Sequence, residues 1–249
     1  MADLNRVLVG GSPSTGSSLL VNILNRHSAI CSGPETYLFI HPKLYTDWAT
    51  YKRYLLRPKP FGGLKSIGWG PLNGAILKHK EYGYSTTQIQ QLIQDSPTLQ
   101  AFADIFFTQQ SGCQTWIEKS PSNVLAFPHF LESMPNAKVL LTLRDPYDTI
   151  ASLVARGMHP VIAAAAYLVN NAFALRSYGH PRFSSLIYEE WIQSPKVALQ
   201  PVLQTLDLHW EDQLLQTPSA SPLKMDGWLQ DERGAVQTGS IGRFQRLPA

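Results

Sequence analysis

Hydrophobic positions along the chain alternate between short continuous runs and helical spacing. Val7-Leu8-Val9 is a short apolar run that ends in Gly10-Gly11, which predicts a buried strand entering a tight turn. Leu19, Leu20, Ile23 and Leu24 then share one face of a helix that should stop near Asn25 to His27. Lys138-Val-Leu-Leu-Thr-Leu143 forms the second clear strand, and Ile150, Leu153 and Val154 mark the helix after it. Further strands are expected over Thr115–Glu118 and Phe183–Tyr188, and a helix over about Pro195–Leu206. The repeated order of strand, turn and helix predicts an α/β, P-loop-like three-layer fold: a central parallel sheet flanked by helices.

Between Leu38 and Cys113 the pattern is less regular. A Gly/Pro-rich segment, Pro58–Gly74, is followed by two expected helices, Thr86–Ile93 and Pro97–Thr108. This stretch reads as a mainly helical insertion into one domain spanning 1–249, and as part of an acceptor site. The tail from Pro218 to Ala249, rich in Ser, Gly and Pro, reads as an ordered loop.

Composition narrows the partners. With 249 residues, 44% of them hydrophobic and 16% charged, the chain can bury a sizeable core and is not a polyelectrolyte. A net charge of +3 without a basic stripe speaks against nucleic acid and suits a small anionic ligand. Val161–Leu168, the most apolar stretch, is too short to span a bilayer, and no signal-like segment opens the chain. A cytoplasmic protein is expected, with no membrane partner. Cys31 and Cys113 lack metal-ligand spacing and read as ordinary thiols; no His/Cys/Asp cluster suggests a metal.

Two segments carry candidate chemistry. In Gly11-Ser12-Pro13-Ser14-Thr15-Gly16-Ser17-Ser18, glycines permit a tight turn, and the helix start adds N–H donors and partial positive charge, so an anion is favoured there. The spacing Gly11-x4-Gly16 matches a P-loop, but Ser17 stands where its Lys would be, which disfavours an ATP or GTP hydrolase. A plain Ser/Gly cap without ligand is the bland alternative. The second segment is Arg144-Asp145-Pro146-Tyr147-Asp148, with Ser152 and Arg156 four residues apart on one expected helix face, able to converge on a phosphate. Asp145 is placed to cap that helix. An ion-paired strand–helix junction is the alternative.

Together these segments resemble the PAPS-dependent sulfotransferase family, in particular its Golgi-type and bacterial branch with the tyrosylprotein sulfotransferases. The first loop resembles the family's 5′-phosphosulfate loop, and Arg144 to Ser152 its 3′-phosphate motif. Gly33-Pro34-Glu35-Thr36 is similar to the Gly-Glu-Glu-Thr segment whose second Glu is a catalytic base. Glu118-Lys119-Ser120-Pro121-x-Asn123 resembles the Lys-bearing strand end that reaches the sulfate. Tyr188-Glu189-Glu190-Trp191 resembles the block whose Tyr lies near adenine, and Gly239-Ser240-Ile241-Gly242-Arg243-Phe244 the C-terminal loop over the 3′-phosphate. Leu38–Cys113 matches nothing in the family. The usual first-loop Arg or Lys is Ser14 here.

The resemblance implies transfer of a sulfuryl group from PAPS, leaving PAP, to a hydroxyl, and the expected lack of a membrane anchor favours a small-molecule acceptor. Glu35 would be the general base. Lys119 and the 12–18 loop would stabilise the transferred group, with Lys119 partly replacing the missing cation at 14. His27, His41 and His159 are alternative bases. Trp48, Trp69 and Tyr45 are candidates to line the acceptor pocket, with core packing as the alternative, and Lys65 beside Trp69 could greet an acidic acceptor. Two other readings remain open. One is a PAP/PAPS-binding protein of the same fold that lost catalysis with the residue at 14; the other is a small-molecule kinase. The sequence leaves the acceptor and the oligomeric state open.

Overall fold

The computed structural model describes residues 4–56, 78–109, 112–216 and 241–246. Strand β1 (Asn5–Gly11) is buried at every position, as an interior strand covered on both faces must be. Helix α1 (Ser17–Leu24) follows, then the three-residue strand β2 (Ile30–Ser32). Four helices occupy most of the described part of the expected insertion: α2 (Lys43–Thr46), α3 (Trp48–Leu56), α4 (Thr86–Asp95) and α5 (Leu99–Thr108). Ser85 and Gln88 form a reciprocal capping box at α4, and the Thr98 hydroxyl accepts from the Ala101 N–H at α5. The chain continues through β3 (Thr115–Lys119), α6 (Phe127–Ser133), β4 (Ala137–Leu143), α7 (Pro146–Val154) and α8 (Pro160–Leu175). It then forms β5 (Phe183–Ile187), α9 (Tyr188–Gln193) and α10 (Pro195–Thr205).

All five strands are parallel, in the order β2-β3-β1-β4-β5. The period of two divides the apolar side chains between two faces. Leu8, Trp116, Val139 and Leu141 pack with Tyr51, Ile93, Phe102, Phe106 and Phe130 from α3 to α6. Val7, Val9, Ile117 and Leu140 pack with Leu20, Ile23, Trp191, Leu199 and Leu203 from α1, α9 and α10. The result is the expected three-layer α/β architecture. A buried ion pair ties α5 to the sheet: Arg6 donates to both Asp104 oxygens, at 2.8 and 2.7 Å, and Trp116 Nε1 donates to the same carboxylate at 3.0 Å.

The strand order fixes where a ligand can sit. The chain lays β3 on one side of β1 and β4 on the other, so the loops leaving their carboxyl ends diverge there. Open parallel sheets offer their binding crevice at such a switch point. The stretch Val161–Leu168 lies in α8, where Val161, Ile162 and Leu168 are exposed. Among the described residues no helix is long and apolar enough to cross a membrane.

Candidate anion-binding and transfer site

The loop leaving β1 turns on two left-handed residues, Ser14 (φ 74°) and Gly16 (φ 82°). Gly16 caps α1, and the first helical N–H groups beyond it lack intrahelical acceptors. A Cβ on Gly16 would lie 2.4 Å from Tyr188 Cδ2, so the loop can rest on the Tyr188 ring only because residue 16 has no side chain. The Thr15 hydroxyl donates to the Ser12 carbonyl at 2.8 Å and contacts Thr142 Oγ1 at 2.7 Å. Thr15 and Ser12 are fully buried, and Ser12 Oγ bonds the Pro13 carbonyl at 3.4 Å. The hydroxyls of residues 12 and 15 thus close the loop internally, while the backbone N–H groups of the 12–18 segment, with Ser14, Ser17 and Ser18, line the candidate anion site. Ser14 Oγ is buried without a hydrogen-bond partner among the described residues.

The carboxyl end of β3 lies beside this loop. Lys119 is 1% exposed; its Nζ donates to Ser18 Oγ at 2.7 Å and forms a close ion pair with Glu35 Oε1. The Tyr37 hydroxyl holds the other Glu35 oxygen at 2.7 Å. Burial, then the charge and hydrogen bond of Glu35, push the Tyr37 phenol far above its ordinary range, so it stays a donor. Glu118, fully buried, accepts from the Thr36 N–H and hydroxyl at 2.9 Å each, from Ser120 Oγ at 2.7 Å and from Asn123 Nδ2 at 2.6 Å. Ser120 Oγ in turn accepts from the N–H of Tyr37, itself left-handed at φ 54°. On the other flank, Tyr82 lies across Gly33, where a Cβ would come within 2.3 Å of its ring, and donates to the Pro34 carbonyl at 2.9 Å.

The carboxyl end of β4 carries the second cluster. Arg144 is 6% exposed; its Nη1 donates to the Ser14 carbonyl at 3.0 Å and its guanidinium lies 4.7 Å from the centre of the Tyr188 ring. The two expected anion sites therefore share a wall. Asp145 caps α7 by accepting from the Asp148 N–H at 2.8 Å, as its position predicts, and Ser152 is buried on that helix. Arg156 is a correction: α7 ends at Val154, so Arg156 sits in the following turn rather than on a shared helix face with Ser152. Burial, then the charges of Arg243 and Arg144, hold its guanidinium below the ordinary value, opposed by Glu35. Gly242 and Phe244 donate their N–H groups to Asp148 of α7, Ile241 packs against the cluster of α1, α9 and α10, and Arg243 is exposed between them. Ser240, Lys65 and Trp69 fall outside the described residues, as do the Pro58–Gly74 segment and most of the expected tail loop.

Several candidates are engaged elsewhere. His27 is buried against the His209 carbonyl at 2.8 Å, and His159 caps α8. Trp48 donates to the Ser96 carbonyl at 3.0 Å and packs on Phe102, and the Tyr45 hydroxyl donates to the Phe39 carbonyl at 3.0 Å, so both follow the core alternative. Sequence reasoning missed the parts played by Tyr37, Tyr82, Glu118 and Asp148. Only Glu118 left a signal, as a carboxylate inside a strand run that would otherwise be buried and apolar. Among the described residues no group of three His, Cys, Asp or Glu side chains could hold a metal ion.

A model described as "Sulfotransferase family" matches residues 6–212. Protein-tyrosine sulfotransferase A of Caenorhabditis elegans is 21% identical over 223 residues, which cover 84% of this chain and 51% of the relative. The protein-tyrosine sulfotransferase of Drosophila melanogaster is 23% identical over 221 residues, covering 84% of this chain and 39% of the relative. The chain thus spans about half, or less, of the length of these curated relatives. Among solved structures, the sulfotransferase domain from the Synechococcus PCC 7002 olefin synthase superposes with a TM-score of 0.72 at 21% identity, covering 100% of this chain and 90% of that one. The sulfotransferase domain from the curacin biosynthetic pathway gives 0.66 at 17% identity, covering 100% and 93%. At these identities the two structures speak for the fold alone.

Proposed function

This chain belongs to the sulfotransferase family, and from that premise we propose that it moves a sulfuryl group from PAPS to the hydroxyl of a small-molecule acceptor. One observation supports this reading above others: the hydrogen bond from Arg144 Nη1 to the Ser14 carbonyl, which joins the loop after β1 to the arginine cluster after β4. A ligand with an anionic group at each end would bridge such a pair of sites. The residues fit it. Ser14 Oγ is buried and unpartnered among the described residues, Gly16 as the cap of α1 leaves the first helical N–H groups without intrahelical acceptors, and Arg156 feels the charges of both Arg144 and Arg243.

When bound, PAPS supplies the sulfuryl group and departs as PAP. The chain's own groups divide the remaining work. Backbone N–H groups at the start of α1, with Ser17 and Ser18, would hold the 5′ end, where leaving-group charge grows. Arg144, Ser152, Arg156 and the 241–243 loop would hold the 3′-phosphate, and Tyr188 would support the loop and the purine side. Lys119 Nζ, between Ser18 and Glu35, would carry positive charge towards the transferred group. Glu35 Oε1, once Lys119 turns to the donor, would take the acceptor proton while Tyr37 keeps Oε2 in place. Such transfer depends mainly on positioning and charge stabilisation.

The acceptor remains a proposal of class. The curated relatives carry the name of protein-tyrosine sulfotransferases, and a hydroxyl is common to a tyrosine and to a small molecule. Two measurements test the reading: calorimetry with PAP against AMP, and release of labelled sulfate from PAPS in the presence of a hydroxyl library. PAP should bind more tightly than AMP because both anionic ends are held; equal affinities would end the proposal. Ser14, in place of a cation, favours one second reading, a PAP-binding protein without turnover, which predicts tight PAP binding and no labelled product.

A further inference from the structure

The Asp148 side chain is not the cap of α7, since Asp145 caps that helix. Yet it is almost fully buried, and both carboxylate oxygens are engaged. Oδ2 accepts the Gly242 N–H and Oδ1 the Phe244 N–H, each at 2.7 Å. These two amides flank Arg243, which is exposed, and Gly242 turns the chain at φ 70°. Arg144 Nη2 lies 3.8 Å from the same Asp148 Oδ2, and the Tyr147 and Phe244 rings meet at 5.1 Å. Hydrogen bonds to an ionised carboxylate are among the stronger ones available, and this carboxylate sits in the first turn of a helix, where negative charge is favoured.

We propose that Asp148 is a positioning residue, a latch that docks the segment 241–244 on α7 and so delivers Arg243 to the anion held by Arg144. This rests on the nucleotide reading given above. The electrostatics give the latch its purpose. Arg156 lies among like charges, since burial and then the charges of Arg243 and Arg144 weaken its guanidinium's hold on its proton. Asp148 offsets that repulsion while the anion is away, and its two backbone contacts fix the loop without engaging the Arg243 side chain. The loop is therefore set before the ligand arrives, which lowers the ordering cost of binding.

The test compares wild type with Asp148→Ala and with Phe244→Pro. The second variant removes one of the two donated N–H groups and the ring contact while leaving α7 untouched, so it guards against a folding defect at position 148. Hydrogen exchange read at the Gly242 amide should be protected in wild type and fast in both variants. The Kd for PAP should rise about 10–100-fold, the equivalent of one or two lost charge-assisted bonds, with the loss in turnover falling mainly on KM for PAPS. Equal exchange in wild type and variants overturns the latch, as does an unchanged Kd for PAP. A wild type that fails to prefer PAP over AMP sinks the nucleotide reading instead, and the latch then stands or falls on the exchange of this amide alone.

Discussion

Glu118 and Lys119 are neighbours on β3, and they hold the same loop from opposite faces of the sheet. Glu118 takes the backbone N–H and hydroxyl of Thr36 and, through Ser120, the N–H of Tyr37. Lys119 takes the side chain of Glu35. The period of two along a strand is what allows this, since adjacent residues point to opposite sides. One strand end therefore fixes both where the 35–37 loop runs and where its carboxylate points.

That arrangement has a consequence for pH. Burial raises the Glu118 pKa above 4.5, against the pull of its donors, so the folded chain keeps this proton to a higher pH than the unfolded chain does. The stability contributed is complete below 4.5 and is lost as pH rises through the raised value. Glu118→Gln carries a neutral amide throughout, so its stability should lack this decline. Chemical denaturation of both proteins between about pH 4 and 8 compares the slopes. A constant difference between the two curves would show that Glu118 titrates as an ordinary carboxyl.

Glu35→Ala should lower sulfuryl transfer by roughly 10²–10⁴-fold, the usual worth of a placed general base. PAP affinity should stay near that of wild type, because the direct partners of Glu35 are Lys119 and Tyr37 and it reaches the arginine cluster only through its charge on Arg156. Parallel kinetics and calorimetry separate the effects. A large loss of PAP affinity would recast Glu35 as a structural partner of Lys119.

The parts of this site that the sequence displays are those with local causes. β1 and β4 are continuous apolar runs, the loop between β1 and α1 has its glycines at the turning points, and Asp145 precedes Pro146 as a cap should. β2 did not stand out because three residues of the pattern Ile-Cys-Ser carry no periodicity. Tyr82 and Asp148 acquire their parts from chain segments far away in sequence: Tyr82 meets Pro34 and Asp148 meets Gly242. Such pairings follow from topology, which no window of neighbouring residues contains. The Ser152–Arg156 spacing misled for a related reason, since a four-residue interval implies a shared face only while the helix continues, and α7 stops at Val154.

Gly16→Ala should destabilise the protein by about 1–3 kcal/mol and weaken PAP binding. The new Cβ would meet the Tyr188 ring at 2.4 Å in a left-handed backbone, and the displaced ring is the one that carries Arg144 at 4.7 Å. Part of the cost should vanish when Tyr188 is also replaced by Ala, which removes the clash and leaves only the backbone strain. A double-mutant cycle by thermal unfolding reads that coupling. Strictly additive effects would mean that Tyr188 does not support the loop.

Ser14 stands where the family resemblance implies a cation. The Ser14 backbone is already left-handed at φ 74° and its carbonyl is held by Arg144 Nη1 at 3.0 Å, so Ser14→Arg changes the side chain without asking for a new turn. If Lys119 carries alone the charge that two cations share elsewhere in the family, an added guanidinium should raise turnover about tenfold, or ~1.4 kcal/mol of barrier. It should also make Lys119→Met less costly than in the wild-type background, because the two cations would then overlap in role. Single-turnover assays on wild type, the two single variants and the double variant measure both effects. Intact PAP binding with no turnover in either wild type or Ser14→Arg would instead favour a nucleotide-binding protein whose loss of catalysis lies beyond this one residue.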